Sequence, residues 1–284
     1  MGAGVQGAKD MRPRPVVGFA FRRTSIRGGK ALVERLRSVL VLAVLVWPLM
    51  AVASVAAQSA RDIRPETLSL VDPARNRSVP VAIYAVGSPS QSRLKPAIIS
   101  HGYGGKNTDH SFLATYLATH GYYVASIQHE IPGDEPLPAT GSPYETRKPS
   151  WERGVQNILF VIGELKKRHF NLDFGQLLLV GHSHGGDTSM LFAQAHADLV
   201  HAVISLDNRR MPFPRAARPR ILSLRSSDQP ADEGVIPSAA EQATFGMTVI
   251  KLPATIHNDM WDGGTAAQKA EIIRLIDGFL RPGR

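Results

Sequence analysis

Ser183 stands in the segment GHSHGG at residues 181–186, which has the form G-x-S-x-G. Four apolar residues, LLLV, precede this segment and a run with helical spacing follows it, so the pattern predicts a serine on a tight strand-to-helix turn. There the flanking glycines let the neighbouring backbone pass without a Cβ clash, and the helix N-terminus favours developing negative charge. Such a serine is suited to nucleophilic attack on a carbonyl carbon. The alternative is a structural Gly-rich turn in which the serine caps the helix.

A serine hydroxyl whose pKa is close to that of the free side chain is a poor nucleophile. It therefore requires a general base, and a carboxylate must orient that base. Among the ten histidines, His257 occupies the loop between the last predicted strand and the final predicted helix, and we predict it as the base. Two carboxylates, Asp207 and Asp228, follow predicted strands. We favour Asp228, because it follows the penultimate strand, and keep Asp207 as the alternative. The chain order Ser, Asp, His holds for either.

A second glycine-rich segment, HGYGG at residues 101–105, follows the apolar run at residues 97–100. An oxyanion hole needs two backbone N–H groups aimed at one point, one from the residue after the nucleophile and one from the loop after an early strand. The sequence therefore predicts the N–H groups of Tyr103 and His184 as the oxyanion donors. An ordinary turn at the end of a strand is the alternative for the upstream segment.

The remaining histidines are predicted to support the site or to lie at the surface. His182 and His184 flank the serine and should line the site or pack beside it, while His101 should hydrogen-bond within its own loop. A metal site built from these three is disfavoured, because adjacent imidazoles on a sharp turn diverge. We therefore expect neither a metal nor an organic cofactor.

The elements that position these residues alternate between strand-like and helix-like lengths, which predicts an α/β fold with a doubly wound, mostly parallel sheet flanked by helices. The first two strands are expected to form an antiparallel hairpin at the sheet edge. Residues 131–150 lack a clear period, and we interpret them as a loop over the site. The predicted strands cover residues 67–71, 79–86, 97–100, 122–127, 177–180, 202–206, 221–224 and 248–252.

The first 57 residues have the layout of an export signal, with a basic region before an apolar run at residues 39–57. Small residues at its end favour cleavage after Ala57, and the protein would then be periplasmic or secreted. An uncleaved membrane anchor is the alternative, since the run is just long enough to cross a bilayer. Residues 58–284 are predicted to form a single domain.

Most of the positive charge belongs to this leader. Of the formal net charge of +9, residues 1–57 contribute +7, from nine basic and two acidic side chains. The remaining +2 gives little support for nucleic-acid binding, and we expect membrane contact only through the N-terminal segment. The chain has no cysteine, which excludes a thiol nucleophile and disulfides.

These motifs, together with SSD at residues 226–228, resemble the α/β-hydrolase superfamily from residue 69 to residue 280. Within it they are similar to the branch that holds dienelactone-hydrolase-like proteins, bacterial polyester hydrolases and platelet-activating-factor acetylhydrolases. The resemblance implies a triad of Ser183, His257 and an aspartate. The acetylhydrolases place the acid as Asp207 would be, whereas the polyester hydrolases match Asp228. Dienelactone hydrolases proper use a cysteine nucleophile, so their substrate cannot be carried over.

The sequence thus predicts a serine hydrolase, esterase- or lipase-like, that cleaves a small or lipid-like carboxylic ester through an acyl-enzyme. One rival is acyl transfer or peptide hydrolysis on the same triad, because the same machinery serves amides and alcohol acceptors. Another rival is a non-catalytic exported binding protein that retains the fold.

Overall fold

The computed structural model describes residues 63–86 and 93–281. The predicted leader, its cleavage site and the apolar run therefore lie outside the described residues. The strands are β1 (Glu66–Asp72), β2 (Arg77–Tyr84), β3 (Lys95–Ser100), β4 (Tyr122–Ile127), β5 (Leu178–His182), β6 (Ala202–Leu206), β7 (Arg220–Arg225) and β8 (Thr248–Lys251). The helices are α1 (Ser111–Thr119), α2 (Pro143–Arg168), α3 (His184–Ala195), α4 (Ala239–Phe245) and α5 (Ala266–Leu280).

The eight strands form one sheet in the order β1-β2-β4-β3-β5-β6-β7-β8. β1 pairs with β2 and β2 with β4 in antiparallel fashion, and every further pair is parallel. The predicted edge hairpin and the mostly parallel sheet are both confirmed. Since the parallel strands end at the same edge, the loops after β3, β5, β6, β7 and β8 meet there.

Apolar side chains cover both faces of the sheet, which explains the continuous apolar runs of its central strands. One face packs against α2 and α3 through a cluster that includes Trp151, Ile158 and Phe192. The other face packs against α1 and α5 through a cluster that includes Leu113 and Ile272. Strands β4, β5 and β6 are buried along their whole lengths. The sheet is therefore a rigid support for the loops at its edge.

Two expectations about the loops and histidines are wrong. Helix α2 begins at Pro143, so only the first part of residues 131–150 is a loop. Pro149 lies inside this helix, where its ring removes one backbone hydrogen bond, and packing of the helix on the sheet outweighs that cost. His110 and His129, expected at the surface, are buried. Within residues 63–86 and 93–281, no helix is both long and apolar enough to span a bilayer.

Candidate active site

Ser183 sits on the turn between β5 and α3, with a φ of 52° that few non-glycine residues adopt. The turn is so tight that a Cβ on Gly181 would lie 2.2 Å from the carbonyl oxygen of Gly185. A Cβ on Gly185 would in turn lie 2.2 Å from the carbonyl oxygen of Ser100. Both positions therefore require glycine. The Ser183 N–H donates to the carbonyl of Leu206 at 2.9 Å, which fixes the turn against β6.

The ring of His257 lies between Ser183 and Asp207. Its Nε2 is 2.9 Å from Ser183 Oγ, and its Nδ1 is 2.6 Å from Asp207 Oδ2. His257 and Asp207 are buried, with exposed fractions of 5% and 0%, whereas Ser183 is partly exposed. The three side chains therefore form one hydrogen-bonded row. It runs from a hydroxyl that faces solvent, through an imidazole, to a carboxylate shielded from solvent.

Asp207 follows β6 with a φ of 59°, which turns its side chain toward the His257 loop. Its second oxygen, Oδ1, accepts the backbone N–H of Ser226 at 3.0 Å and lies 2.8 Å from Nη2 of Arg225. Burial raises the pKa of Asp207, but the hydrogen bond from His257 and the charge of Arg225 outweigh it and hold the pKa below its ordinary value. Asp207 is therefore a carboxylate at neutral pH.

The preference for Asp228 as the acid at the imidazole is wrong. Its Oδ1 accepts the backbone N–H of His257 at 2.8 Å instead of a ring nitrogen. The physical reason lies in the sheet order: β6 neighbours the nucleophile strand β5, while β7 lies one strand further out. Asp207 thus reaches the ring, and Asp228 holds the main chain of the His257 loop.

The loop after β3 lies against the nucleophile. A Cβ on Gly102 would stand 3.5 Å from the Cβ of Ser183. His101 Nε2 accepts the backbone N–H of His129 at 3.1 Å, so its Nδ1 carries the proton and donates to the Gly102 carbonyl at 2.8 Å. Gln128 Nε2 donates to the Gly105 carbonyl at 3.0 Å. These bonds fix the loop, and His101 has the structural position that the sequence predicted.

The two predicted oxyanion donors flank the serine. Tyr103 lies in the loop after β3, and its ring centroid is 5.9 Å from that of His184. His184 begins helix α3, so its N–H has no carbonyl four residues earlier within the helix to bond with. The structure therefore places both predicted donor residues on elements next to Ser183, His257 and Asp207.

Comparisons with known proteins agree with this architecture. A family model described as serine aminopeptidase, S33, matches residues 94–206. A fungal esterase from Rhizomucor miehei superposes with a TM-score of 0.60 at 15% identity, covering 79% of this chain and 84% of its own. No curated protein sequence matches the chain.

Two further solved structures share the fold. A ferulic acid esterase from Streptomyces cinnamoneus has a TM-score of 0.55 at 19% identity, covering 76% of this chain and 88% of its own. A dienelactone hydrolase-like promiscuous phosphotriesterase from metagenomic libraries has a TM-score of 0.56 at 16% identity, covering 76% and 98%. This protein has the α/β-hydrolase fold. The resemblance drawn from its motifs is confirmed at the level of the fold.

In this fold the side chain of His184 is tied to helix α2, a contact that the sequence pattern did not reveal. Trp151 Nε1 donates to His184 Nδ1 at 2.9 Å, so Nε2 carries the proton and donates to Ser150 Oγ at 3.0 Å. Burial, together with the charge of Arg147, lowers the pKa of His184 to about 3. The ring is therefore neutral, and its two hydrogen bonds anchor the residue that is predicted as an oxyanion donor.

The other histidine beside Ser183 turns the opposite way. His182 Nε2 lies 3.0 Å from the carbonyl oxygen of His257, and the two ring centroids are 4.9 Å apart. Burial and the nearby charge of His257 lower the pKa of His182 to about 4, so the neutral ring donates to that carbonyl. The two imidazoles diverge as predicted. Among the described residues, no three His, Asp or Glu side chains form a group that could hold a metal ion.

A cavity of about 350 Å³ opens beside the loop after β3. Its wall contains glycine backbone, two partly exposed aromatic rings, Tyr103 and Trp261, and imidazoles. A space of this size suits a small organic group bound through apolar contact. The lining residues are Gly102, Tyr103, Gly104, Gly105, Asp109, His110, His182, Asn258 and Trp261.

Proposed function

We propose that this protein is a serine hydrolase that cleaves carboxylic esters through an acyl-enzyme. The observation that carries the proposal is the continuous row in which Ser183 Oγ is 2.9 Å from His257 Nε2 and His257 Nδ1 is 2.6 Å from Asp207. These distances are those at which a base takes the proton of a nucleophile while a carboxylate orients the base.

In the first half of the reaction, His257 accepts the Ser183 proton as Oγ bonds to the ester carbonyl carbon. The carbonyl oxygen becomes an oxyanion, which the N–H groups of Tyr103 and His184 stabilise. The imidazolium then gives its proton to the departing alcohol as the C–O bond breaks. Asp207, held ionised by Arg225, stabilises the positive charge on the ring.

In the second half, His257 takes a proton from water, whose oxygen attacks the acyl-enzyme carbonyl. The collapse of the second tetrahedral intermediate releases the carboxylic acid, and His257 returns the proton to Ser183 Oγ. Neither half needs a metal ion or organic cofactor. The substrate we propose is a small or lipid-like ester, supported by the cavity of about 350 Å³ and by the esterases among the proteins of similar fold.

Hydrolysis of short 4-nitrophenyl esters tests this proposal. We expect turnover by the wild type and a loss of about 10³-fold or more in kcat for Ser183→Ala, since removal of a triad member leaves only binding and oxyanion stabilisation. Ser227→Ala, at a partly exposed serine outside the row, serves as the control. Full activity in Ser183→Ala would overturn the proposal.

Amide hydrolysis is the second candidate, because the matching family model is described as a serine aminopeptidase. A panel of 4-nitroanilides of amino acids beside esters of matched size separates the two. Greater kcat/KM for the anilides would favour the peptidase. Turnover of neither class, together with no labelling by a fluorophosphonate probe, would favour a non-catalytic binding protein.

We also propose that the enzyme acts outside the cytoplasm, in the periplasm or as a secreted protein. The basic leader followed by the apolar run at residues 39–57 supports this proposal. A membrane-anchored form would keep the same domain on the outer side of the membrane.

A further inference from the structure

Two arginines, Arg147 and Arg209, lie on elements that contact helix α3, which begins directly after Ser183. Arg147 lies on helix α2, three residues before Ser150 and four before Trp151, the two side chains that hydrogen-bond the His184 ring. Residues at these spacings share one face of a helix, so Arg147 lies on the face that contacts His184. It is half-buried there.

The second arginine, Arg209, comes from the loop after β6, two residues beyond Asp207. Its backbone N–H donates to Asp187 Oδ1 at 3.1 Å, which ties the loop to helix α3 directly behind the nucleophile. Its side chain is half-buried. The two arginines therefore come from two elements that both contact helix α3, one from α2 and one from the β6 loop.

Neither guanidinium has a hydrogen bond or an ion pair within residues 63–86 and 93–281. The neighbouring arginines do: Arg225 contacts Asp207 at 2.8 Å, and Arg210 contacts Asp232 at 2.8 Å. Arg153 contacts Asp134 at 3.7 Å. Two positive charges at the site are thus left without a bonded counter-charge.

The two charges also act on each other. Burial lowers the pKa of Arg209, and the charges of Arg210 and Arg147 lower it further, while Asp207 and Asp187 partly offset them. Asp187 is largely satisfied, because its Oδ1 accepts three backbone N–H groups from the β6 loop. The repulsion between unpaired arginines would be relieved by an anion that binds both.

We propose that Arg147 and Arg209 form a subsite for a carboxylate carried by the ester substrate, on its acyl or its alcohol part. The inference rests on the proposed esterase function and adds to it a class of substrate. A planar guanidinium fork matches a carboxylate, and the ionised group would both orient the substrate and neutralise the pair.

The experiment compares charged and neutral esters of similar size. On the acyl side, mono(4-nitrophenyl) glutarate is set against 4-nitrophenyl pentanoate. On the alcohol side, 4-acetoxybenzoate is set against its methyl ester. The readout is the ratio of kcat/KM for the charged ester to that for the neutral ester, measured for the wild type, Arg147→Gln, Arg209→Gln and the exposed-arginine control Arg274→Gln.

We expect the wild type to prefer the charged ester in one of the two pairs, and either Gln variant to lower that ratio about tenfold, as for loss of one charge-assisted hydrogen bond. Arg147→Lys should retain part of the preference, and 0.5 M NaCl should weaken it in the wild type. Arg274→Gln should leave the ratio unchanged. A merely structural role of the arginines would lower both kcat/KM values together.

The outcomes separate the two proposals. The carboxylate subsite would be overturned if the ratio of kcat/KM values for charged and neutral esters were the same in the wild type and both Gln variants, for both ester pairs. In that case turnover of the neutral esters would still support the esterase. Lack of turnover of every ester by the wild type would overturn the proposed function, and the subsite with it. The Gln variants should lose the preference for the charged ester in one of the two ester pairs. That pair identifies whether the carboxylate belongs to the acyl or the alcohol part of the substrate.

Discussion

At the residue scale, the site is held by buried polar groups whose protonation states their surroundings determine. His182 and His184 are neutral because burial lowers the pKa of each. Asp207 is ionised because the bond from His257 and the charge of Arg225 outweigh burial. In the proposed mechanism His257 is the imidazole that exchanges protons between Ser183 and the substrate, while His182 and His184 act as fixed donors and acceptors.

At Glu130 the effect of burial on the pKa outweighs the effects of nearby charges and hydrogen bonds, the opposite of the case at Asp207. Its Oε2 lies 3.5 Å from His101 Nδ1, and its Oε1 lies 4.0 Å from His184 Nε2, beside the oxyanion loop. Burial raises the pKa of Glu130 to about 7, although the charge of Arg153 and the N–H of Gly104 work in the other direction. In the folded protein this carboxyl is therefore half protonated near neutral pH.

This shift predicts a pH-dependent gain of stability in Glu130→Gln. A raised folded pKa favours folding below the unfolded value near 4.5, and that contribution is lost as pH rises through about 7. At pH 8 we expect Glu130→Gln to be more stable than the wild type by about 1–3 kcal/mol, and at pH 5 by much less. Urea unfolding at both pH values measures the difference.

The matched control is Glu135→Gln, at an exposed residue in the same loop, which should change stability by less than about 0.5 kcal/mol at either pH. An equal effect of Glu130→Gln at pH 5 and pH 8 would show that titration of this carboxyl is not the cause.

The sequence was enough to select those site residues that stand in a characteristic motif or at a characteristic place between elements. The G-x-S-x-G turn and the position of His257 in the loop after the last strand were enough to select the serine and the imidazole that lie 2.9 Å apart. The acid could not be decided, since Asp207 and Asp228 both follow strands. The choice depends on a positive φ at Asp207 and on which strand neighbours β5, neither of which a residue pattern expresses.

At the element scale, helix α2 links the sheet to the nucleophile turn. It packs against α3, and its Trp151 and Ser150 hold the ring of His184. The sequence did not predict the first turns of this helix, because residues 131–150 lack a clear period. Pro143 is compatible with the first helical position, and the contacts of Trp151 compensate for Pro149.

Helices α2 and α3 approach each other closely at Gly154, where a Cβ would lie 2.6 Å from Cγ2 of Thr188. Thr188 cannot easily turn away, because its Oγ1 donates to the His184 carbonyl at 3.0 Å. We therefore expect Gly154→Ala to destabilise the protein by about 1–3 kcal/mol through overpacking, measured by urea unfolding.

Gly163 provides the matched control on the same helix, since no atom would lie within 4 Å of its added Cβ. There the same change to alanine should stabilise by about 0.5–1 kcal/mol, through helix propensity alone. Equal effects of the two substitutions would contradict the close packing of α2 on α3.

At the scale of the whole molecule, the parallel sheet gathers residues that are far apart in the chain. Ser183 and His257 are separated by 74 residues and meet because β5 and β8 end at the same edge. The strands, the crossovers and hence the fold could be predicted from alternating apolar runs. The histidine contacts behind the site could not, because they depend on side-chain directions across several loops.

The leader gives a prediction at the same scale. We expect export to be accompanied by cleavage after Ala57, so that the mature chain begins at Gln58. N-terminal sequencing and intact-mass measurement of the exported protein check this. Ala57→Leu, which removes the small residue at the cleavage position, should slow processing, and Ala60→Leu beyond it should not. A protein that keeps its leader in the membrane fraction would support the anchored form.

The most direct test of the proposed row of Ser183, His257 and Asp207 is the rate at which a fluorophosphonate probe labels the folded protein. We predict labelling of the wild type at Ser183, a rate about 10³–10⁴-fold lower in Asp207→Asn, and a rate within about tenfold of wild type in Asp228→Asn. Labelling of Asp207→Asn at the wild-type rate, with the large loss in Asp228→Asn instead, would contradict the account.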